Sequence, residues 1–275
     1  MNSPKSKSIQ FYQFSAGDWK IAQKQIVVEK PVSLTVNGKT WMDMLCSPAQ
    51  LDYLGVGFLY NEGLIQNLQD LASVYVCPAN DNVDVWTHQR LEKPMDWRKT
   101  SGCSGGQTSQ DLPELPLPKI KDVQLSPKAI NDLLQQFVNA QKTQLESRGI
   151  HTSALSDGKE ILAIADDVGR HNTLDKLAGY CVLNHVTLPQ PVILTTGRIS
   201  SEMLQKSARM GCSVIISLTS PNNYSIELAD QWQITLVGYA RLNSFNVYTH
   251  AHRITGGEII LSNSPAVNIG PLENL

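Results

Sequence analysis

A single cysteine, Cys103, lies in the polar stretch RKTSGCSGGQTSQ of residues 98–110. Its Ser, Gly, Thr and Gln neighbours cannot bury the sulfur, and no second cysteine lies within twenty residues on either side. The nearby cations Arg98 and Lys99 favour the thiolate. An accessible thiolate can accept a sulfane sulfur as a persulfide at one partner and release it at another. The alternative from this stretch alone is an incidental exposed cysteine.

Two segments of the second half share the order apolar strand, Gly-Arg, helix: LAIADDVGRHNTLDKL and VILTTGRISSEMLQ. Glycine lets a ligand approach the backbone, a helix N-terminus favours anions, and arginine can fork onto phosphate oxygens. Gly169-Arg170 and Gly197-Arg198 therefore predict a two-pronged polyphosphate or nucleotide site at the carboxyl ends of strands. The alternative is that each pair is a turn and cap with a surface arginine. Neither segment matches a Walker loop or the dinucleotide fingerprint.

Two acids and a histidine accompany the first of these junctions: Asp166, Asp167 and His171. One acid is expected to cap the following helix, and the other to accept a hydrogen bond from a sugar or base. For His171 the options are general acid–base chemistry, ligand orientation or a structural role.

The metal-ligand patterns in the chain are weak. His250 and His252 could share one face of an extended segment, with Cys103 and His151 recruited to them. The sequence has no Cys-x-x-Cys and no His-Glu-x-x-His. We expect no metal site of the protein's own.

The elements that must position these residues differ between the two halves. Residues 1–98 are mostly strand-like, with Asn37-Gly38 as a hairpin signal and one helix predicted to begin at Ser47-Pro48. The sequence therefore predicts a β-rich N-terminal region that contains a single helix.

The composition changes at residues 99–125, where Gly, Ser, Thr, Gln and Pro predict a flexible cysteine loop and linker. Residues 126–275 alternate between strands and helices, beginning with a helix at Ser126-Pro127. This rhythm predicts a three-layer α/β domain with a mainly parallel sheet.

The composition of the 275 residues limits the function classes. A formal net charge of −2 gives no sign of binding to nucleic acid or to an anionic membrane, and no apolar run is long enough to span a bilayer. The N-terminus lacks the apolar core of a signal peptide, so we expect a cytoplasmic protein. Five scattered cysteines argue against a disulfide framework, and all but Cys103 have a structural explanation.

Several longer strings together resemble the FdhD family of formate dehydrogenase accessory sulfurtransferases. The similarity runs from about residue 8 to about residue 253 and includes HTSALSDG as a histidine-containing strand. The four most specific strings are CSPAQLDYLGVGFLYNEGLI, DDVGRHNTLDKLAG, TTGRISSEMLQKSARMG and GYARLNSFNVYTH.

The resemblance implies a sulfurtransferase that acts as a sulfur carrier. Whether it turns over as a true enzyme is left open. In that family a loop cysteine takes persulfide sulfur from an L-cysteine desulfurase and passes it to the molybdenum bis(molybdopterin guanine dinucleotide) cofactor of formate dehydrogenase. It also implies a homodimer with a cytidine-deaminase-like C-terminal domain. Cys103 matches the family's sulfur-transfer position, and a family cofactor-binding stretch matches Tyr239, Ala240, Arg241, Leu242, Asn243 and Ser244. A guanine dinucleotide ligand also agrees with the polyphosphate site predicted above, so we expect the cofactor to contact Gly169, Arg170, His171, Gly197 and Arg198 as well.

Two departures from the family pattern matter for this expectation. The loop often carries Cys-x-x-Cys, but Gly106 stands at the second position here. The family segment Phe-Ala-Arg-Gly-x-Arg retains Arg241, but Leu242 and Ser244 replace its glycine and second arginine. The loop therefore has one thiol instead of two, and the cofactor-binding segment has one arginine instead of two.

Two alternatives remain open from the sequence. The first is a non-catalytic chaperone that binds and delivers the cofactor without carrying sulfur. The second is a nucleotide-acting, deaminase-like hydrolase, although His151 is followed by Thr-Ser and no Pro-Cys-x-x-Cys occurs. The choice of molybdenum or tungsten, and of the donating desulfurase, is not readable from the sequence.

Overall fold

The computed structural model describes residues 6–94, 98–99, 107–108, 117, 123–141, 149–189 and 191–256. At 98–99 and 107–108 the description is of the backbone alone. Within these ranges every helix is too short or too polar to span a lipid bilayer.

The N-terminal region is β-rich, as predicted. A two-stranded sheet is followed by a four-stranded sheet with the order β4-β3-β6-β5. Asn37 and Gly38 have φ values of 49° and 75°, which confirms the hairpin between β3 and β4. The elements are β1 (Ser6–Ser15), β2 (Asp18–Val27), β3 (Lys30–Val36), β4 (Lys39–Cys46), α1 (Leu51–Asn61), a 3₁₀ helix (Leu68–Asp70), β5 (Leu71–Val76) and β6 (Asn82–Thr87).

The predicted start of α1 at Ser47-Pro48 is wrong. The helix begins at Leu51 behind Gln50, which has a left-handed φ of 56°. Ser47 is used elsewhere: its backbone N–H donates to Asp167 Oδ2 at 3.1 Å, and its hydroxyl accepts from the Val168 N–H at 3.2 Å. Ser47 therefore ties the first part of the chain to the turn that precedes α3.

The second half contains a six-stranded sheet with the order β10-β9-β11-β12-β13-β14. Before it lie two short paired strands, β7 (Arg98–Lys99) and β8 (Gln107–Thr108). The remaining elements are α2 (Pro127–Gln141), β9 (His151–Ser156), β10 (Ile161–Asp167), α3 (Arg170–Leu183), β11 (Val192–Thr195), α4 (Ser201–Arg209), β12 (Val214–Ser217), α5 (Asn223–Gln231), β13 (Thr235–Arg241), β14 (Ser244–Val247) and a 3₁₀ helix (Ala251–Arg253).

The predicted mainly parallel sheet is also wrong, because the sheet is mixed. Only β11–β12 and β12–β13 pair in parallel. Strand β9 is antiparallel to both β10 and β11, and β13 turns back into β14 as a hairpin. Strands β10, β11, β12 and β13 nevertheless point the same way, so their carboxyl ends lie at one edge.

Helices cover both faces of this sheet. Apolar residues from α3, α4 and α5 form one core with side chains such as Leu155 and Ile193. Residues from α2 form a second core with their neighbours Ala154 and Val192. Successive strand residues thus enter opposite cores, which gives the predicted three layers. The α/β class is confirmed, and the cytidine-deaminase-like relationship stays a prediction.

Helix α1 packs closely against α3 across two glycines. A β-carbon on Gly57 would overlap the carbonyl oxygen of Asp175, and one on Gly179 would overlap that of Tyr53. The division into residues 1–98, 99–125 and 126–275 stays a prediction, since the two larger parts share this helix–helix contact.

Candidate anion site at three helix N-termini

The predicted site lies at the edge of the sheet where strands β10, β11 and β12 end. Each of these strands leads directly into a helix, α3, α4 and α5 respectively. Arg170 is the first residue of α3, Ser200 is the N-cap of α4, and Asn222 is the N-cap of α5. A helix N-terminus carries a partial positive charge and unsatisfied N–H groups, so this edge of the sheet favours an anion.

A cavity of about 280 Å³ opens among these three N-termini. Two of the described lining residues are arginines and none is acidic. The lining consists of Arg170, Arg198, Ile199, Ser200, Ser220, Pro221 and Asn222. The structure therefore brings both Gly-Arg junctions to one cavity, and adds a third strand–helix junction to them.

The two junctions touch through Gly197. A β-carbon on this residue would lie 3.1 Å from Cβ of Arg170, closer than side chains normally approach. Arg170 is only 6% exposed, whereas Arg198 is exposed. Gly197 thus leaves room for Arg170 to form a buried wall of the cavity.

The third junction was not predicted from the sequence. The Ile199 N–H donates to Ser220 O at 3.1 Å, and the Asn222 N–H donates to Ile199 O at 3.1 Å. These bonds join the loops before α4 and α5. The sequence signal was present, since Ser-Pro-Asn follows an apolar strand and Asn222 caps the next helix.

His171 lies behind the cavity and does not line it. Its side chain is buried, with Nε2 3.4 Å from the Ser200 hydroxyl, and Nδ1 has no hydrogen-bond partner among the described residues. Burial, reinforced by the positive charges of Lys206 and Arg170, holds the pKa of His171 well below its usual range. A neutral His171 can hold Ser200 in place, but it adds no cation for a phosphate.

Asp167 does not line the cavity, so its carboxylate is not placed to contact a ligand there. Its carboxylate is fully buried and accepts hydrogen bonds within the protein on both oxygens. Oδ2 lies 2.6 Å from the buried Lys176 ammonium, and Oδ1 accepts from Gly169 N at 2.9 Å and Asn172 Nδ2 at 2.8 Å. A desolvated carboxylate requires such partners. Asp167 fixes the turn before α3.

Asp166 is also buried and lies outside the cavity lining. Thr152 donates a hydrogen bond to its Oδ1 at 2.8 Å. The expected contact of this acid with a sugar or base is therefore not available at the cavity surface in this structure.

The 239–244 segment forms the turn between β13 and β14 beside the cavity. Arg241 Nη1 donates to Leu218 O at 2.6 Å, and the Tyr239 N–H donates to Thr219 O at 2.8 Å. Asn243 donates through its N–H to Asn131 Oδ1 at 2.9 Å. The bonds of Arg241 and Tyr239 hold the loop that precedes Ser220 in the cavity lining, whereas the bond of Asn243 joins the turn to α2.

The six side chains of this segment do not share one environment. Ala240 packs in the apolar core, whereas Tyr239, Arg241, Leu242, Asn243 and Ser244 are exposed. None of the six lines the cavity.

A second cavity of about 340 Å³ lies at the other end of α3, near Cys181, His185 and Met210. Its described lining contains no lysine or arginine. It therefore lacks the charge that a polyphosphate requires, although it is the larger of the two.

The chain is similar to known proteins over most of its length. The family model of the FdhD/NarQ family matches residues 27–255. The chain belongs to the FdhD/NarQ family. Two similar relatives are the sulfur carrier proteins FdhD of Staphylococcus aureus strains MRSA252 and Newman, each 34% identical over 244 residues, which are 85% of this chain and 91% of the relative.

A solved structure supports the fold of this FdhD/NarQ chain. The crystal structure of a candidate formate dehydrogenase accessory protein from Desulfotalea psychrophila superposes with a TM-score of 0.80 at 25% identity. The match covers 91% of this chain and 100% of the other.

Cys103, the predicted sulfur-transfer residue, lies outside the described residues. The neighbouring backbone is described: Lys99 pairs with Gln107 in the β7–β8 ladder. In the sequence, Cys103 is the midpoint of residues 100–106, which connect these two strands.

The four described cysteines are poor candidates for a reactive thiolate. Burial raises the pKa of Cys46 and of Cys181 to about 12, and raises that of the fully buried Cys212 as well. Cys77 donates a hydrogen bond to Asp81 Oδ1 at 2.7 Å. Cys103 differs from the first three in its polar sequence surroundings.

Proposed function

We propose that this FdhD/NarQ protein is a sulfur carrier for formate dehydrogenase, with Cys103 as the carrier residue. The family match and the sulfur carrier proteins among its relatives support this function. The raised thiol pKa of Cys46, Cys181 and Cys212 supports the choice of Cys103. We base the proposed binding of the cofactor on one observation: Arg170 and Arg198 line the same cavity.

The first step takes sulfur from an L-cysteine desulfurase. The Cys103 thiolate attacks the outer sulfur of the desulfurase persulfide, a new S–S bond forms on Cys103, and the desulfurase cysteine leaves as a thiolate. No external oxidant is needed, because one S–S bond replaces another. A polar loop suits this step, since donor and acceptor sites lie on different proteins.

In the second step the sulfur passes to the molybdenum bis(molybdopterin guanine dinucleotide) cofactor, which the protein binds. The diphosphate groups of the cofactor would bind in the cavity at the three helix N-termini, which Arg170 and Arg198 line. Arg170 forms the buried wall, and the exposed Arg198 can fold onto the outer phosphate. Tyr239 and Arg241 act through the adjacent loop, and His171 acts through Ser200. We further propose that the protein works as a homodimer.

Mass spectrometry after incubation with a cysteine desulfurase and L-cysteine tests the carrier step. We expect a gain of about 32 Da, the mass of one sulfur, that disappears in Cys103→Ala. The matched control Cys77→Ala, which removes a half-buried thiol, retains the gain. The same gain in Cys103→Ala would contradict the assignment.

A specific observation favours a second candidate, a chaperone that delivers the cofactor without carrying sulfur. Gly106 occupies the position where a second loop cysteine is expected, so a two-thiol relay within this loop is excluded. The chaperone predicts that Cys103→Ala retains full ability to activate formate dehydrogenase.

A further inference from the structure

The β1–β2 hairpin is an arm that pairs with neither larger sheet. It forms a two-stranded sheet of its own, and its turn at Ala16-Gly17 has left-handed φ values of 53° and 93°. An isolated hairpin is at best marginally stable in water. The arm therefore gains stability from a surface that covers it.

One face of the arm's tip is made of four large apolar residues. Tyr12 pairs with Ile21 and Phe14 with Trp19, and directly opposite residues of an antiparallel pair lie on the same face. The Phe14 and Trp19 rings are 5.3 Å apart. All four side chains are strongly exposed: Tyr12 77%, Phe14 59%, Trp19 70% and Ile21 68%. We call these four residues the tip patch.

The opposite face of the arm carries its charges. The charged residues all alternate with the tip patch along their strands, and they are Lys7, Asp18, Lys20 and Lys24. Phe11 lies on this face as well and is half-buried, whereas the tip patch is open. A surface that covers the tip patch therefore desolvates no charged group.

The arm is basic although the chain as a whole is acidic. Residues 6–27 contain three lysines and one aspartate, with no arginine or glutamate, whereas the full chain has a formal net charge of −2. The net charge of the chain thus conceals a positive segment beside exposed aromatic side chains. This combination is typical of elements that lie in the interface of an anionic membrane. Trp and Tyr are enriched at that depth, because their rings are apolar and their N–H and O–H groups stay hydrated.

The separation of the two faces favours a lipid surface over an acidic protein surface. A salt bridge requires contact within about 4 Å, and a protein docked on the tip patch would meet no lysine on that face. The field of an anionic lipid surface extends about 8–10 Å at moderate ionic strength, so it also acts on the lysines of the far face. The flexible stems of Lys20 and Lys24 can in addition extend toward the headgroups.

We propose that the arm lies flat on an anionic phospholipid membrane, with the tip patch inserted between the headgroups. Interfacial elements bury their apolar face about 5–10 Å deep, which is within the reach of aromatic side chains. The backbone then stays at the level of the headgroups, where the ladder between β1 and β2 pairs its N–H and C=O groups. The arm precedes residue 27, where the family match begins, and the contact does not rest on the sulfur-carrier proposal.

Co-sedimentation of the full chain with phosphatidylglycerol vesicles tests this contact. We expect Phe14→Ser/Trp19→Ser to bind the vesicles about tenfold more weakly or worse, because these two rings make up half of the tip patch. The matched control Tyr75→Ser/Trp86→Ser removes two other exposed aromatic side chains, on β5 and β6, and should bind like wild type. Equal binding of all three proteins overturns the proposal. So does a wild type that fails to bind, and self-association that depends on Phe14 and Trp19 would then assign the tip patch to a second copy.

The same assay tests the requirement for anionic lipid. The wild type should bind uncharged phosphatidylcholine vesicles about tenfold more weakly than phosphatidylglycerol vesicles, and high salt should weaken its binding to the latter. Lys20→Gln/Lys24→Gln should lower the affinity for phosphatidylglycerol several-fold and leave that for phosphatidylcholine unchanged. Equal affinity of the wild type for the two kinds of vesicle overturns an anionic membrane as the partner.

A fluorescent label provides a second measurement that does not depend on weakened folding of the arm. In a Cys77→Ala/Cys103→Ala background, the environment-sensitive dye NBD is attached to Tyr12→Cys or to Gln13→Cys. Phosphatidylglycerol vesicles should shift the NBD emission to shorter wavelength at residue 12, on the tip-patch face, and leave it unchanged at residue 13. Equal shifts at the two positions overturn the flat, one-sided insertion.

Discussion

Arg170 and Arg198 follow glycines in similar sequence patterns, yet the structure places them differently. Arg170 is the first residue of α3 and is buried, whereas Arg198 is exposed in the loop two residues before the N-cap of α4. The first junction is held by the Asp167–Lys176 pair, whose ammonium and carboxylate are both fully buried. A repeated motif thus produces one rigid arginine and one that can adjust to a ligand.

The anchoring of the first junction predicts the largest effect. Lys176 Nζ donates to Asp167 Oδ2 at 2.6 Å and to Asp166 O at 3.0 Å. We expect Lys176→Met to lower the free energy of unfolding by about 3–5 kcal/mol, because it leaves a buried carboxylate without its cation. Urea denaturation measures this loss.

The surface pair Lys128–Asp132 provides the control for that experiment. The two charges lie 2.7 Å apart but are largely exposed. Lys128→Met should therefore change the free energy of unfolding by about 1 kcal/mol or less. A loss in Lys176→Met no larger than in this control would show that the first junction is not anchored as described.

The second junction predicts an effect on binding rather than on stability. GDP serves as a probe because it carries the guanine and diphosphate groups of the proposed cofactor. If the cavity binds these groups as proposed, Arg198→Ala should weaken GDP binding about tenfold or more, since hydrogen bonds to charged groups contribute about 1.5–3 kcal/mol. The melting temperature should stay at the wild-type value because Arg198 is exposed. Isothermal titration calorimetry measures the affinity.

Two variants sharpen the comparison of the junctions. Arg170→Ala should lower both GDP affinity and melting temperature, because this side chain is also part of the buried wall. Arg90→Ala removes an exposed arginine outside the cavity lining and should change neither. Wild-type GDP affinity in Arg198→Ala would exclude this arginine from the site.

We expect acidification to lower the free energy of unfolding by a smaller amount, because it protonates His171. Burial lowers the pKa of His171 in the folded protein below the ordinary value of 6.5, so the unfolded chain binds a proton that the folded protein does not. Stability contributed by the neutral imidazole is present above pH 6.5 and is lost as the pH falls below it, with a limiting slope of about 1.4 kcal/mol per pH unit.

Urea denaturation between pH 7 and pH 5.5 measures this dependence. His171→Asn should flatten the curve, while His151, whose pKa burial also lowers, keeps part of the slope. An unchanged slope in His171→Asn would show that this imidazole does not control the acid response.

The sequence predicted local features of the fold well where one residue determines the geometry. Asn37-Gly38 forms the expected hairpin, and Ser126 accepts from Ala129 N at 3.0 Å at the start of α2. Both depend on contacts within a few residues. Long-range contacts were not readable: Ser47 has the sequence features of an N-cap but is used by Asp167, 120 residues away.

The sequence predicted that the two Gly-Arg junctions would lie close together, and Arg170 and Arg198 do line one cavity. The binding of a nucleotide in this cavity stays a prediction. An acid that contacts a ligand must be exposed at the cavity, whereas a structural acid is buried. The sequence does not show that Asp166 and Asp167 are both buried. The mixed sheet was missed because β9 reverses its direction without any local signal.

The most direct test of the sulfur-carrier function is formate dehydrogenase activity in a host that lacks its own FdhD-family protein. Each variant is produced there at a level checked by immunoblot. Cys103→Ala should restore no activity, whereas Cys77→Ala should restore activity at the wild-type level. Full activity with Cys103→Ala would contradict the central claim that this thiol carries the sulfur.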